Sequence, residues 1–217
     1  MNKAPYQPLI LLLFLVLNST ISYTQTDEKA ENILKEYKIK LKSLKDYSAQ
    51  FTYALSNPTG PSISKKGIIK TKGNKYIVQL EDQQIYCDGE SLWVYLLELN
   101  EVNIMSYDPE EGFGLESVFK VQEANGPAKY AGIEPIQNRD HHKIILTKID
   151  NTQLDYYRAS LWIDVQTQLL SKAVLVNRMQ TTTEFLFSAI QFNQGILDSE
   201  FVFDLSKYPN IEVYDER

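Results

Sequence analysis

From residue 47 onward, short strand-like runs follow one another with little more than turn residues between most of them. Ser48, Gln50 and Thr52 alternate with Ala49, Phe51, Tyr53 and Leu55, a period of two. Similar runs cover 67–72, 75–80, 83–87, 91–95, 102–107, 141–150, 156–164, 169–177, 182–192 and 200–205. Parallel neighbours need long crossovers, and these connections are too short to supply them. The sheet is therefore expected to be mostly antiparallel. The sharpest turn is Asp88-Gly89, between Gln83-Gln84-Ile85-Tyr86-Cys87 and Ser91-Leu92-Trp93-Val94-Tyr95. Gly tolerates positive φ and Asp can bond its own backbone, so the pair predicts a hairpin.

Two helical stretches accompany the strands. Asp27 can cap a helix over 29–44, where Ala30, Ile33, Leu34, Tyr37, Leu41 and Leu44 recur at three- and four-residue steps. Lys35, Lys38, Lys42 and Lys45 lie mostly off that face. Asp108-Pro109-Glu110-Glu111 opens a second stretch with acids in its first turn, which suits the helix dipole. Its apolar residues are Phe113, Leu115, Val118, Phe119 and Val121, and it stops before Asn125-Gly126-Pro127. Residues 128–140 are poorly patterned and receive no element. The fold class expected is α+β.

Residues 1–24 read as a signal peptide: Lys3, an apolar run from Leu9 to Leu17, then the small residues Ser22 and Thr24. The run is too short to span a bilayer. Cleavage after Thr24 leaves one soluble domain over 25–217, with no cysteine near its start for lipid attachment. Cys87 is the only cysteine, so an exported chain has no internal disulfide and depends on its core. The whole chain carries 22 basic and 28 acidic residues. That surplus of acid argues against nucleic acid and against anionic membrane surfaces as partners.

No catalytic constellation is legible. His141 and His142 are the only histidines, and neighbours on a strand point to opposite faces, so they do not share a metal easily. No serine sits in a nucleophile elbow and no Gly-rich phosphate loop occurs. Glu110-Glu111 reads as a charge pair at a helix start. The chain reads as a non-enzyme with no cofactor and no metal. It is rich in aromatics, with 14 Tyr, 9 Phe and 2 Trp. These can form a large aromatic core, or line an apolar cavity between a curved sheet and its covering helices.

Taken together the motifs resemble the periplasmic outer-membrane lipoprotein carrier family, LolA. The amphipathic helix leads into Phe51-Thr52-Tyr53, and a Gly-led strand follows from Gly67 to Lys72. Asp88-Gly89 runs into Leu92-Trp93-Val94-Tyr95 and on to Leu99-Asn100-Glu101-Val102. Phe192-Asn193, Phe201-Val202-Phe203 and Pro209-Asn210-Ile211-Glu212-Val213 complete the likeness, which covers almost the whole chain after residue 24. The chain departs from the pattern at Lys72-Gly73, where the family has Arg-Pro, and at His141 to Leu146, so it resembles a divergent member.

The resemblance implies an unclosed, strongly curved antiparallel barrel, with helices forming a lid over an apolar cavity. Candidate lining residues are Phe51, Tyr53, Ile69, Tyr76, Val78, Trp93, Tyr95, Phe113 and Phe119. Lys72 is the candidate lid latch. The implied function is that of a monomeric periplasmic carrier of acylated lipoproteins, which takes them from an inner-membrane exporter to an outer-membrane acceptor. A second reading is a periplasmic adaptor of the same fold that senses lipid or lipoprotein and signals to a protein partner. A third, a secreted hydrolase, lacks a nucleophile and base.

Overall fold

The computed structural model describes residues 27–108, 127–147 and 156–217. Asp27 caps helix α1 (Glu28–Ser43), accepting the Lys29 N–H at 2.9 Å and the Ala30 N–H at 3.4 Å. Such a cap satisfies donors that the first turn leaves unpaired. Strands β1 (Tyr47–Ser56), β2 (Ile63–Lys72), β3 (Lys75–Leu80), β4 (Gln83–Cys87), β5 (Ser91–Leu96) and β6 (Glu101–Ser106) follow as a meander. After them come β7 (Ala128–Ile136), β8 (Arg139–Thr147), β9 (Tyr156–Asp164), β10 (Leu170–Asn177) and β11 (Thr182–Phe192). The Asp88-Gly89 turn forms as expected. Asp88 Oδ1 accepts the N–H groups of Glu90 and Ser91, and Gly89 takes a φ of 95°.

Among the described residues twelve strands join in one sheet, ordered β12-β6-β5-β4-β3-β2-β1-β11-β10-β9-β8-β7. Its ends do not meet, so the sheet is unclosed. Every pairing is antiparallel except that of β12 (Glu212–Asp215), which runs parallel to β6. Two expectations change here. Residues 128–136 form β7, hidden in the sequence because Gly132 and a register shift between Tyr130 and Ile133 break the alternation. Residues 200–205 form no strand. A short 3-10 helix, Asp198–Phe201, starts there instead, and the chain lies across the sheet rather than beside it. The second helical stretch, with Phe113 and Phe119, falls outside the described residues.

The sheet must curl. Laid flat, twelve strands about 4.8 Å apart would span roughly 50 Å, while a helix is only about 10 Å wide. Yet Ile69 of β2, Leu92 of β5, Ile144 of β8, Leu161 of β9 and Phe185 of β11 share one buried cluster with Ala30 and Tyr37 of α1. Register shifts in β1–β11 at Ser48/Gln50, in β7–β8 and in β9–β10 help the strands to bend.

The opposite, convex face is covered by the segment after β11. It buries Ile196, Phe201 and Phe203 against Ile77, Trp93, Tyr95, Val102 and Ile104, then adds β12 to the sheet edge.

Candidate functional site

Five of the nine expected lining residues meet in the concave layer beneath α1. Phe51, Ile69, Tyr76 and Val78 are buried in it, and Tyr53 packs against it. Period two explains their common face, because Phe51 opposes Gly67 and Ile69 opposes Val78 across the pairs β1–β2 and β2–β3. Phe51 lies 6.5 Å from Phe187 and Tyr53 lies 5.2 Å from Phe185, centroid to centroid. Gly67 makes room for this packing. A Cβ there would lie 2.5 Å from Cζ of Phe51 and 2.6 Å from the Gln79 carbonyl oxygen.

The helix supplies Ile33, Leu34, Leu41 and Leu44 to the same layer, with Tyr37 at its centre. Tyr37 is 1% exposed, and its hydroxyl has no hydrogen-bond partner among the described residues. Burial drives its pKa far above the usual tyrosine value, and the nearby Tyr47 adds to that. The hydroxyl is therefore a neutral donor held in apolar surroundings, an arrangement that costs stability.

Trp93 and Tyr95 do not join this layer. Val78 opposes Ile85, and Ile85 opposes Val94, so Val94 carries the concave row into β5. The neighbours Trp93 and Tyr95 consequently face outward, under the carboxy-terminal segment. There Tyr95 meets Phe203 at 5.4 Å and Tyr208 at 4.6 Å, and Phe203 stacks on Tyr208 at 4.6 Å.

Lys72 is also on the convex face. Its ammonium donates to the Ile196 carbonyl at 2.8 Å and pairs with Asp198 at 2.6 Å. It thus grips a backbone carbonyl, but one in the carboxy-terminal segment rather than in α1. Lys75 reaches Asp198 at 2.8 Å and Lys70 reaches Glu200 at 2.7 Å. Hydrogen bonds from Lys72 and Lys75 pull the Asp198 carboxyl down to about 2. Sequence reasoning missed Asp46, which accepts the N–H groups of Gln194, Gly195 and Ile196 at 2.7, 2.8 and 3.3 Å. Burial pushes its carboxyl up, but those bonds and Lys72 outweigh it and leave the pKa below the usual range. The helix-to-strand junction offered no pattern that could have marked Asp46 as an anchor.

Both ends of α1 are tied down. Asp27 donates its N–H to the Ala128 carbonyl at 3.0 Å and accepts the Tyr130 N–H at 3.2 Å. Past the other end, the Lys45 N–H donates to Oδ1 of Asn193 at 2.7 Å. The histidines part as expected. His141 is buried beside Asp164, with Nδ1 2.8 Å from the Arg139 carbonyl, while His142 contacts the Tyr130 hydroxyl at 3.2 Å near α1. Among the described residues no three His, Cys, Asp or Glu side chains gather as a metal site. A cleft of about 560 Å³ borders Gln50, Thr52, Lys66, Ile68, Gln79 and Ser188. Phe51, Gly67 and Leu80 also line it, so the cleft mixes polar side chains with the edge of the apolar layer.

This geometry defines a class: an unclosed, curved antiparallel sheet wrapped around one helix, with an apolar layer between them. Solved structures share the architecture. An uncharacterized conserved protein from Thermus thermophilus superposes with a TM-score of 0.59 at 8% identity, over 87% of this chain and 100% of that one. The Mycobacterium tuberculosis lipoprotein LppX superposes with a TM-score of 0.52 at 14% identity, over 79% and 99%. A LolA superfamily protein from Nitrosomonas europaea matches more loosely, with a TM-score of 0.42 at 12% identity, over 81% and 98%. The first two carry the comparison, and at such identities the likeness is one of fold. No family model and no curated protein matches the sequence.

Proposed function

We propose that this protein is an extracytoplasmic carrier that binds the acyl chains of lipoproteins between the concave face of its sheet and α1. In this reading it moves them from an inner-membrane exporter to an outer-membrane acceptor. The observation that supports it is the continuous apolar layer under α1, running across the sheet from β5 to β8 and including Phe51, Tyr53, Ile69, Tyr76 and Val78. Acyl chains need such a layer to cross water, because each buried CH₂ is worth about 0.8 kcal/mol. The described residues of the layer are buried against one another and against α1, so cargo that enters among them must displace them. That competition weakens binding and favours release. The role needs neither a catalytic group nor a metal.

Binding is tested with an environment-sensitive fatty-acid probe, which should brighten on the protein and dim when a diacylated lipopeptide competes. A probe that stays dark on the folded protein overturns the reading. Release of lipoproteins from inner-membrane vesicles and delivery to outer-membrane vesicles tests the shuttle step. Binding without delivery favours the adaptor role instead.

A further inference from the structure

The outward side of α1 carries charge that nothing in the fold uses. Residues 35–45 hold five lysines, Lys35, Lys38, Lys40, Lys42 and Lys45, against one acid, Glu36. Glu36 is turned aside, accepting from Nε2 of Gln168 at 3.1 Å. Lys40 lies over the Phe192 ring, 5.3 Å from its centroid. No acid lies within 4.0 Å of the other four among the described residues, whereas Lys70, Lys72, Lys75, Lys143 and Lys172 all hold acids. Amid these unpaired charges Ile39 is 60% exposed, one turn from Lys35 and one from Lys42. The acids Glu28 and Glu31 sit in the first turn of the same helix, so the positive charge is gathered in its later turns, in a chain whose net charge is −6.

We propose that this side of α1 docks on an anionic lipid bilayer, with Lys35, Lys38, Lys42 and Lys45 meeting phosphate groups and Ile39 entering the headgroup boundary. The overall acidity that argues against such a surface is an average, and a bilayer meets one face. Lysine suits this role because its long stem lies along apolar surface while its ammonium stays among headgroups. Because the apolar face of α1 packs on the sheet, the contact is carried by charge, with Ile39 as a single shallow apolar anchor. The attraction is electrostatic and short-ranged, so it weakens as salt rises. The inference stands apart from the carrier reading, because vesicle binding requires no cargo.

The test is co-sedimentation of the purified protein with vesicles of phosphatidylcholine alone and of phosphatidylcholine mixed with phosphatidylglycerol. At low salt the protein should follow the mixed vesicles, with affinity about a hundredfold or more above that for phosphatidylcholine alone, and the difference should shrink as salt rises. The combined variant Lys35→Gln, Lys38→Gln, Lys42→Gln should lose about a hundredfold in affinity at low salt. Ile39→Ser should weaken binding several-fold without changing its salt dependence. Lys65→Gln, on the sheet, should bind like the parent. Circular dichroism checks that each variant is folded. No binding of the parent to mixed vesicles at low salt, equal binding to both vesicle types, or a folded triple variant that binds like the parent would each overturn the proposal.

Discussion

A phenylalanine at position 37 would fill the same space as Tyr37 without an unbonded hydroxyl. Removing a buried donor that lacks a partner should stabilise the protein by about 1 kcal/mol. For a chain of this size, that raises the melting temperature by about 2–4 °C. Calorimetry of Tyr37→Phe checks it, and a lower melting temperature shows that the hydroxyl is satisfied in solution. His142 gives a pH-dependent counterpart. Burial lowers its imidazole below the usual 6.5, and Lys29 adds to the effect. The unfolded chain therefore takes up the proton first as pH falls. The stability linked to a neutral His142 is present above about 6.5 and is lost as pH drops through the lower folded value. Urea melts from pH 7 to 5 should show the decline in the parent and a flatter profile in His142→Gln.

At the scale of elements, the carboxy-terminal segment behaves as a strap over the convex face. Its first residues hang on Asp46 and Lys72, and its later ones on the Tyr86, Tyr95, Phe203 and Tyr208 rings. Asp46→Ala should speed hydrogen exchange at the Gln194, Gly195 and Ile196 amides by about tenfold or more, leaving β10 protected. Lys72→Arg should keep the slow exchange and Lys72→Leu should loosen it. Unchanged exchange in Asp46→Ala would show that the rings alone hold the strap. The sequence made α1, its Asp27 cap and most of the strand runs legible, because period and turn chemistry are local. The strap was not legible. Which face Trp93 occupies depends on the register of three successive hairpins, and the partner of Lys72 lies 124 residues away. Strand β7 was lost because a bulge erased its alternation.

For the whole molecule, twelve strands in one sheet imply one cooperative unit. Trp93 lies on the β5 side and Trp162 on the β9 side, on opposite flanks of β1. Their fluorescence and the far-ultraviolet dichroism should report the same urea midpoint. Two midpoints would divide the sheet at the β1–β11 seam. Among the described residues the unclosed sheet also ends in two borders, and a bare border is where strands of other copies add on and fibres begin. Here neither border offers a long template. One is β12, only four residues long. The other is β7, interrupted by its bulge, lacking an N–H at Pro135 and partly occupied by Asp27. The chain can thus stay open enough to curl around a helix while giving its neighbours almost nothing to polymerise upon.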